Sequence, residues 1–310
     1  MIRKHTRRAA RAAFAISLGV AIVLGLFTAV EARPAHATPA STRIVLGTKN
    51  FPEEFVLGQL YKQALQAKGF AVTYKENIGS TEIIHTALTS GKIDMYPEYD
   101  GVIVQDVYHH RLSAKTAAAT VKLARKLEAA HGISTLHATP FFDTDAIAVL
   151  KTTASKYHVK TLYDLNKIPD LKLGGQPEFR TRNTGLVGLH RNYHLKGETF
   201  VPFAGISPYA ALDAGTVQAA AVFSTDPVLG KGSKYVLLSD PIHQFGFQNV
   251  VPLVRTSVLK ILGPKFTRTV NAVSRLLTGP AIIAMNKAVI IDKQSPAKVA
   301  KAFLKANKLL

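Results

Sequence analysis

Hydrophobic and polar residues recur along the chain with two different periods, one typical of strands and one typical of helices. A short apolar run over 43–47 precedes a stretch over 52–68 whose apolar residues have helical spacing, with Pro52 tolerated in its first turn. The same succession predicts further strands over 70–74 and 93–96, and helices over 80–90 and 114–131. Strands that alternate with helices predict βαβ units around a largely parallel sheet, so we assign the chain to the α/β class.

A second set of alternating elements begins near residue 171. A helix is predicted over 184–194, and strands are predicted over 171–174, 199–203, 217–223 and 235–238. Another helix should start at Ser207-Pro208, because a serine N-cap followed by proline is a typical start signal. From Thr256 the pattern is helical, and Ser295-Pro296 repeats the start signal for the last helix.

Two apolar segments, 146–150 and 250–254, lie between these two sets of elements. If both segments connect the sets, the chain leaves a first lobe near residue 146 and returns to it near residue 250. The predicted lobes are then 38–145 together with 251–310, and 146–250. A two-strand hinge between α/β lobes leaves a cleft at their interface, where ligand sites concentrate.

The first 37 residues have the layout of a secretory signal peptide. Five basic residues precede an uncharged, mainly apolar stretch over 12–30, and Ala35-His36-Ala37 offers a cleavage site. Cleavage after Ala37 would release a soluble periplasmic protein. The alternative is an uncleaved anchor, because this stretch of 19 residues is nearly long enough to span a bilayer. The chain contains no cysteine, which excludes disulfides, thiolate metal sites and a lipid-modified cysteine.

Beyond the predicted leader the chain is strongly basic, with 33 basic and 19 acidic residues and a net charge of +14. This charge raises one alternative function, that of a secreted protein that binds anionic polymers. The basic residues are scattered along predicted helices with no run of five or more, which favours a solvated surface over a nucleic-acid-binding stripe. We therefore expect a monomer with no nucleic-acid partner.

The chain lacks the sequence motifs of the common enzyme classes. It has no phosphate-binding loop, no Gly-x-Ser-x-Gly elbow, no His-Glu-x-x-His zinc helix and no Gly-x-Gly-x-x-Gly after a strand. His190 and His194 have the spacing of metal ligands on a helix, but a solvated helix face is the commoner origin of such a pair. We expect no catalysis, no cofactor and no metal.

Five motifs, in collinear order, carry a resemblance to a known family. They are GTKNFPEE over 47–54, IDMYPEYDG over 93–101, GGQPEF over 174–179, YAAL over 209–212 and AVFSTD over 221–226. The chain resembles the glycine betaine, carnitine and choline-binding proteins of osmoprotectant ABC importers. The resemblance implies a two-lobed periplasmic binding protein of the type II-like flytrap kind. Such a protein closes around a small osmolyte and delivers it to a membrane permease that works with an ATPase.

The resemblance also implies a site in which aromatic rings surround a trimethylammonium group. Tyr99 matches one ring of that site, and Phe223 and Phe247 fall where the family often has tyrosines. A quaternary ammonium has no N–H to donate, so ring faces stabilise it by cation–π attraction, worth up to about 2 kcal/mol when desolvated. These three residues are therefore predicted to bind the cationic end of the ligand.

At the polar end of the ligand, Lys49 and Arg182 match family residues, with Arg180 as the alternative to Arg182. Two positions depart from the family pattern: Asp145 replaces a tyrosine, and Val102 replaces a threonine or aspartate. A carboxylate gains most from a cation that donates hydrogen bonds. Asp145 is therefore predicted to face the cleft and to shift the preference towards an amine zwitterion or a polyamine. The alternative is that Asp145 caps a turn through a backbone N–H and that the ligand is ordinary glycine betaine.

Overall fold

The computed structural model describes residues 43–111, 115–203 and 205–310, in which strands and helices alternate. The predicted signal peptide, residues 1–37, lies outside the described residues. The strands are β1 (Arg43–Lys49), β2 (Ala71–Gly79), β3 (Met95–Tyr99), β4 (Ile133–Thr135), β5 (Asp145–Leu150), β6 (Lys172–Gly175), β7 (Thr199–Pro202), β8 (Ala219–Phe223), β9 (Tyr235–Leu237) and β10 (Val250–Arg255). The α-helices are α1 (Pro52–Ala67), α2 (Thr81–Thr89), α3 (Asp100–Val102), α4 (Ala117–Ala129), α5 (Lys151–Tyr157), α6 (Leu186–Tyr193), α7 (Pro208–Asp213), α8 (Thr256–Leu276), α9 (Gly279–Ile290) and α10 (Pro296–Ala306).

The elements predicted from the residue pattern are present, with bounds that differ by a few residues. The pattern missed the short elements β4 and α5, which have too few residues to show a period. Both predicted serine N-caps are in place, and the Ser295 hydroxyl accepts a hydrogen bond from the Lys298 N–H at the start of α10. A π-helical turn, Ile103–Val107, continues α3, and three 3-10 turns cover Leu162–Lys167, Pro177–Arg180 and Pro227–Leu229.

The first five-stranded sheet has the order β2-β1-β3-β10-β4. Strand β1 pairs in parallel with β2 and β3, whereas β10 runs antiparallel to β3 and β4. Apolar residues are buried on both faces of this sheet, for example Leu60 and Phe266 on one face and Ile84 on the other. Burying each such side chain contributes about 1.5–3 kcal/mol, so helices packed on both faces hold the sheet in place.

The second five-stranded sheet has the order β7-β6-β8-β5-β9 and is built in the same way. Strand β6 pairs in parallel with β7 and β8, and β5 runs antiparallel to β8 and β9. Leu173 and Leu189 are buried in one of its two core clusters, and Phe203 and Leu212 in the other. The prediction of α/β architecture is confirmed, but each sheet is mixed, because one strand runs antiparallel to the other four.

The antiparallel strands are the two apolar segments that the sequence suggested as connections. They form β5 and β10, interior strands of the second and first sheets. Their continuous apolar character reflects burial on both faces, which is typical of interior strands. The chain crosses between the sheets just before each of them, where Phe142 and Asn249 form an antiparallel bridge and the Asp143 N–H donates to the Gln248 carbonyl at 3.0 Å. We call the parts built on the first and second sheets the first and second lobes.

Helix α8 is the longest helix of the described residues, and it is interrupted. At Gly263 the backbone has φ 71° and ψ −170°, a conformation that glycine adopts without a Cβ clash, and Pro264 starts the second half. Among the described residues, no helix is both long and apolar enough to cross a membrane.

Candidate ligand-binding site

A cavity lies where the carboxyl ends of the first-sheet strands face the second lobe. Lys49 ends β1 and Tyr99 ends β3, and both side chains line the cavity. From the second lobe, Asp145 at the start of β5, Phe223 at the end of β8 and Arg182 after β6 line it as well. Five of the six residues that the sequence predicted for the site therefore meet at one cavity between the lobes, a position typical of ligand sites.

Three aromatic rings form a cluster on one wall of the cavity. The Phe51 ring is stacked against the Phe223 ring, with centroids 5.1 Å apart and an interplanar angle of 21°. The Phe51 ring also lies 6.2 Å from the Tyr99 ring, tilted by 31°. We call Phe51, Tyr99 and Phe223 the aromatic cluster. Sequence reasoning missed Phe51, although it stands inside the GTKNFPEE motif directly after β1.

The protein has a cation of its own beside this cluster, the ammonium group of Lys49. Lys49 is only 5% exposed, and its Nζ lies 4.2 Å from the centroid of the Tyr99 ring and 5.4 Å from that of Phe51. The same Nζ forms a buried ion pair with Glu98 Oε1 at 2.5 Å. The predicted role of Lys49 at the polar end of a ligand is thus combined with a structural role, because its charge is balanced within the protein.

Behind the aromatic cluster, the carboxylate of Glu53 joins both lobes. It accepts hydrogen bonds of 2.7 Å from the Tyr99 hydroxyl, the Thr225 hydroxyl and the Asn286 side-chain amide. Burial raises the pKa of Glu53, although these hydrogen bonds oppose the rise. Glu53 therefore fixes the Tyr99 ring in position and places a carboxyl group close to the cation site.

A second buried carboxyl group, that of Asp143, lines the cavity from the first crossing between the lobes. It accepts hydrogen bonds from the Thr225 N–H at 3.0 Å and the Ser224 hydroxyl at 3.1 Å. Burial, and then the neighbouring Glu53 and Asp226, hold its pKa well above the usual range. Asp143 belongs to the DTDA segment that departs from the family pattern, but sequence reasoning did not assign it to the site.

Asp145 lines the cavity directly opposite Phe223 in the antiparallel register of β5 and β8. Burial raises the pKa of its carboxyl group to about 7, although the positive charge of Arg182 acts in the opposite direction. Among the residues that the structure describes, no hydrogen bond reaches its carboxylate, and the predicted alternative of a turn cap has no bond to support it. The carboxylate is therefore available to a cationic ligand.

Arg182 lies at the cavity as predicted, but its guanidinium is engaged across the cleft. Its Nε and Nη2 donate to the two carboxylate oxygens of Glu82 at 2.9 and 3.0 Å, a bidentate pair between the lobes. Burial of Glu82 would raise the pKa of that carboxyl, but the hydrogen bond and charge of Arg182 lower it to about 2. Arg180, the alternative, is exposed and lies outside the cavity lining.

Further hydrogen bonds join the lobes on the side of Arg182. The Thr184 hydroxyl donates to Asp106 at 2.5 Å, and the Asn183 side-chain amide donates to the Gln105 carbonyl at 2.8 Å. The cleft is therefore closed around the cavity. A ligand in the cavity would contact both lobes at once.

Phe247 does not join the aromatic cluster, so its predicted role needs correction. Its ring stacks on His243 at 5.4 Å and borders a separate cavity with Phe142 and Phe245. Phe247 precedes Gln248, whose side chain does line the site, and neighbouring residues of an extended segment face opposite sides. Val102, the other departure from the family pattern, is buried and lines the cavity as an apolar contact.

His190 and His194, which have the sequence spacing of metal ligands, do not belong to a metal-binding group among the described residues. His190 Nε2 lies 2.6 Å from Glu198 Oε1 at the surface, and His194 follows α6 in a left-handed conformation. Within the described ranges, no group of three or more histidine and carboxylate side chains could hold a metal ion.

The chemistry of this cavity suits a small cation. Both basic side chains that line it, Lys49 and Arg182, are paired with carboxylates, whereas Asp143 and Asp145 have no basic side chain of their own. The ring faces attract positive charge, and so does the Asp145 carboxyl group when it is ionised. This electrostatic character is opposite to that of the whole chain, which is strongly basic.

Comparison with known proteins agrees with this geometry. Residues 42–306 match a family described as the substrate binding domain of ABC-type glycine betaine transport systems. The glycine-betaine-binding protein of Pseudomonas aeruginosa is 31% identical over 278 residues, which cover 86% of this chain and 88% of that protein. The glycine betaine-binding protein YehZ of Escherichia coli is 28% identical over 286 residues, 86% of this chain and 91% of that protein.

Solved structures show the same fold. The structure of apo YehZ has a TM-score of 0.60 at 26% identity and covers 86% of this chain and 99% of that one. A glycine betaine/carnitine/choline ABC transporter structure has a TM-score of 0.67 at 22% identity, with 86% of this chain and 99% of that one covered. The predicted resemblance is thereby confirmed. The chain belongs to the family of substrate-binding domains of ABC-type glycine betaine transport systems.

Proposed function

We propose that this protein captures a small quaternary-ammonium osmolyte of the glycine betaine, choline or carnitine type in the cavity between its lobes. The observation that carries the proposal is the aromatic cluster of Phe51, Tyr99 and Phe223 beside the carboxyl groups of Asp143 and Asp145. Ring faces and carboxyl groups stabilise a trimethylammonium group, which cannot donate hydrogen bonds. The two relatives, both glycine betaine-binding proteins by name, support glycine betaine as one ligand to test.

The polar end of the ligand would meet Lys49 and Arg182. Each of these has a carboxylate partner, so a betaine carboxylate would share Lys49 with Glu98 and Arg182 with Glu82. A ligand without a carboxylate, such as choline, needs no such rearrangement. A zwitterion with N–H groups, or a polyamine, would use Asp145 as a hydrogen-bond acceptor.

We also propose the cellular context that this family role requires. The protein would act in the periplasm after removal of residues 1–37, as a monomer that delivers its ligand to a membrane permease and its ATPase. The lobe boundaries are proposed at 145/146 and 250/251, although Asp145 already pairs within the second sheet and Val250 within the first. The transport family to which the chain belongs gives no reason to expect catalysis.

Calorimetric titration of the purified protein with choline, glycine betaine and carnitine tests the ligand class. We expect saturable 1:1 binding of at least one of these compounds, with an affinity that changes little with salt. A protein that binds anionic polymers would instead bind heparin with an affinity that falls steeply as salt rises. Heparin binding of that kind, without binding of any trimethylammonium compound, would overturn the proposal.

Choline binding should strengthen as the pH rises through about 7, because of Asp145. With its pKa raised by burial to about 7, the Asp145 carboxyl changes from mostly neutral to mostly ionised in this range. A bound cation favours the ionised form, so affinity rises with pH and binding releases protons. The measurement is calorimetry across this range in buffers of different ionisation enthalpy. The choline affinity of Asp145→Asn should depend less on pH than that of the wild-type protein. An equal pH dependence in the two proteins would show that Asp145 does not bind the cation.

Stability of the ligand-free protein should change in the opposite direction. A carboxyl group whose pKa is raised on folding favours the folded state while it remains protonated. The contribution of Asp145 to the free energy of unfolding therefore falls as the pH rises from its unfolded pKa towards about 7. Urea denaturation of wild type and Asp145→Asn at matched pH values separates this effect from that of ligand binding.

A further inference from the structure

A second cavity adjoins the candidate site on the far side of the aromatic cluster. The two cavities share six lining residues and so lie side by side: Phe51, Asp145, Gln176, Glu178, Arg182 and Phe223. Beyond these shared residues the second cavity is lined by side chains from the segment before α7, from α7 itself, from β8 and from α9. We call this part the annex; the residues that define it are Ile206, Pro208, Tyr209, Ala221, Val228 and Ile290.

The annex is apolar, in contrast to the site that it joins. Ile206 is 55% exposed, and Ala221, Val228 and Ile290 are partly exposed. Two polar groups in its wall are paired with each other, because the Tyr209 hydroxyl donates to Asp226 at 2.7 Å. A contiguous apolar surface that adjoins a ligand site indicates a contact for an apolar group.

The annex extends along strand β8 from the aromatic cluster. Ala221 and Phe223 are two residues apart in this strand and both contribute to the annex wall. Two residues of strand span roughly 7 Å, the length of a short acyl chain. Three charged residues, Asp145, Glu178 and Arg182, line both cavities and so lie at the end of the annex nearest the cation site.

We propose that the annex is a subsite for an apolar tail, so that the protein binds trimethylammonium compounds that carry a short acyl chain. This inference rests on the proposed function, since the cationic head must first occupy the site beside the aromatic cluster. The annex borders the site at Phe51 and Phe223 of the aromatic cluster, and this position directly beside the cation site favours a ligand tail as the occupant. The head would then lie among ring faces and carboxyl groups, and the tail among Ile206, Val228 and Ile290.

The test is calorimetric titration of the full protein with choline and its acetyl, butyryl and hexanoyl esters, which share one cationic head. Affinity should rise along the series by up to about fourfold per methylene, the fold-change that corresponds to about 0.8 kcal/mol. An affinity that stays flat or falls from choline to the hexanoyl ester would overturn the inference. That result is expected if the apolar surface contacts the permease instead.

Two variants locate the gain in the annex. Ile206→Asn adds a neutral polar group at an exposed position, and Val228→Asn adds one at a partly buried position in the 3-10 turn after β8. Each should reduce the ester-over-choline affinity ratio several-fold and leave choline binding nearly unchanged, because only the tail contact is lost. Ile261→Asn, at an isoleucine of α8 that is 72% exposed, is the matched control and should change neither.

The outcomes separate this inference from the proposed function. Choline binding with no gain from the acyl chain overturns only the tail subsite. An equal loss of choline and ester affinity in Ile206→Asn likewise overturns it, because the effect would then not be confined to the tail. Failure of choline, glycine betaine and every ester to bind the wild-type protein overturns both proposals.

Discussion

Tyr99→Leu should lower the affinity for choline or glycine betaine at least about tenfold, because leucine fills similar space but has no ring face. Tyr99 is 4% exposed, lies beside Phe51 in the aromatic cluster, and holds the Lys49 ammonium 4.2 Å from its ring. A desolvated cation–π contact is worth up to about 2 kcal/mol, which corresponds to about thirtyfold in affinity. Calorimetry on folded protein measures the loss.

The Tyr99→Phe variant separates the ring from the hydroxyl. Tyr99 belongs to the hydrophobic core as well as to the site, and its hydroxyl donates to Glu53 at 2.7 Å. Phenylalanine should therefore cost about 1–3 kcal/mol of unfolding free energy, because buried Glu53 loses a donor, yet it should retain most of the ligand affinity. If the phenylalanine and leucine variants lose ligand affinity equally, the ring does not contact the cation.

Tyr61→Phe is the matched control for this pair. Tyr61 is fully buried in the same core cluster, and its hydroxyl is hydrogen-bonded to the Ser274 hydroxyl at 3.0 Å, away from the cavity. This variant should lose stability with no change in ligand affinity. A loss of ligand affinity in Tyr61→Phe would show that core stability alone controls binding.

The residue pattern predicted the elements of this fold well because helix and strand periods are local properties. It could not assign β5 and β10 to a sheet, since a continuous apolar run shows that a strand is buried but not which sheet contains it. The cavity position followed from the same elements. Lys49 and Tyr99 are the last residues of the neighbouring parallel strands β1 and β3, so both lie at the carboxyl ends of the first-sheet strands.

The partners of the site residues could not be predicted from local pattern. Arg182 pairs with Glu82, which is 100 positions away in the sequence, and Glu53 bonds to Asn286, 233 positions away. The first contact depends on how the two lobes close, and the second depends on how α9 packs against α1 within the first lobe. The side on which Phe247 lies likewise depends on the extended backbone before β10, which a motif match does not specify.

The ion pair between Lys49 and Glu98 should show the largest stability effect in the protein when it is broken on one side only. Lys49→Met removes the cation from a carboxylate that is fully buried and 2.5 Å away. Glu98 retains hydrogen bonds from the Thr81 hydroxyl and the Tyr99 N–H, but it loses the opposite charge. Leaving a buried charge without its partner costs about 3–5 kcal/mol. Urea denaturation at neutral pH measures this cost.

The double variant Lys49→Met with Glu98→Gln measures the interaction energy between the two charges, separately from the cost of losing either one. Because it removes both charges, it should lose clearly less stability than Lys49→Met alone, with a coupling energy in the range of about 0.5–3 kcal/mol. Lys287→Met is the matched control: Lys287 pairs with Asp292 at 3.0 Å, but on the surface, where such pairs contribute about 0–1 kcal/mol. A Lys49→Met variant no less stable than Lys287→Met would show that the buried pair does not stabilise the fold.

The same double variant tests whether the internal cation limits ligand binding. In the wild-type protein the Lys49 ammonium lies over the Tyr99 ring, so a ligand cation must approach a ring that already faces a positive charge. With methionine at position 49 and glutamine at position 98, the ring face is free of that charge, while Asp145 and Phe223 are untouched. Choline affinity should therefore rise, but by less than the tenfold that relief of about 1.4 kcal/mol of like-charge repulsion would provide, because the variant also removes the attraction of Glu98. If the double variant binds choline more weakly than wild type at equal stability, then the Lys49 ammonium assists ligand binding and does not compete with it.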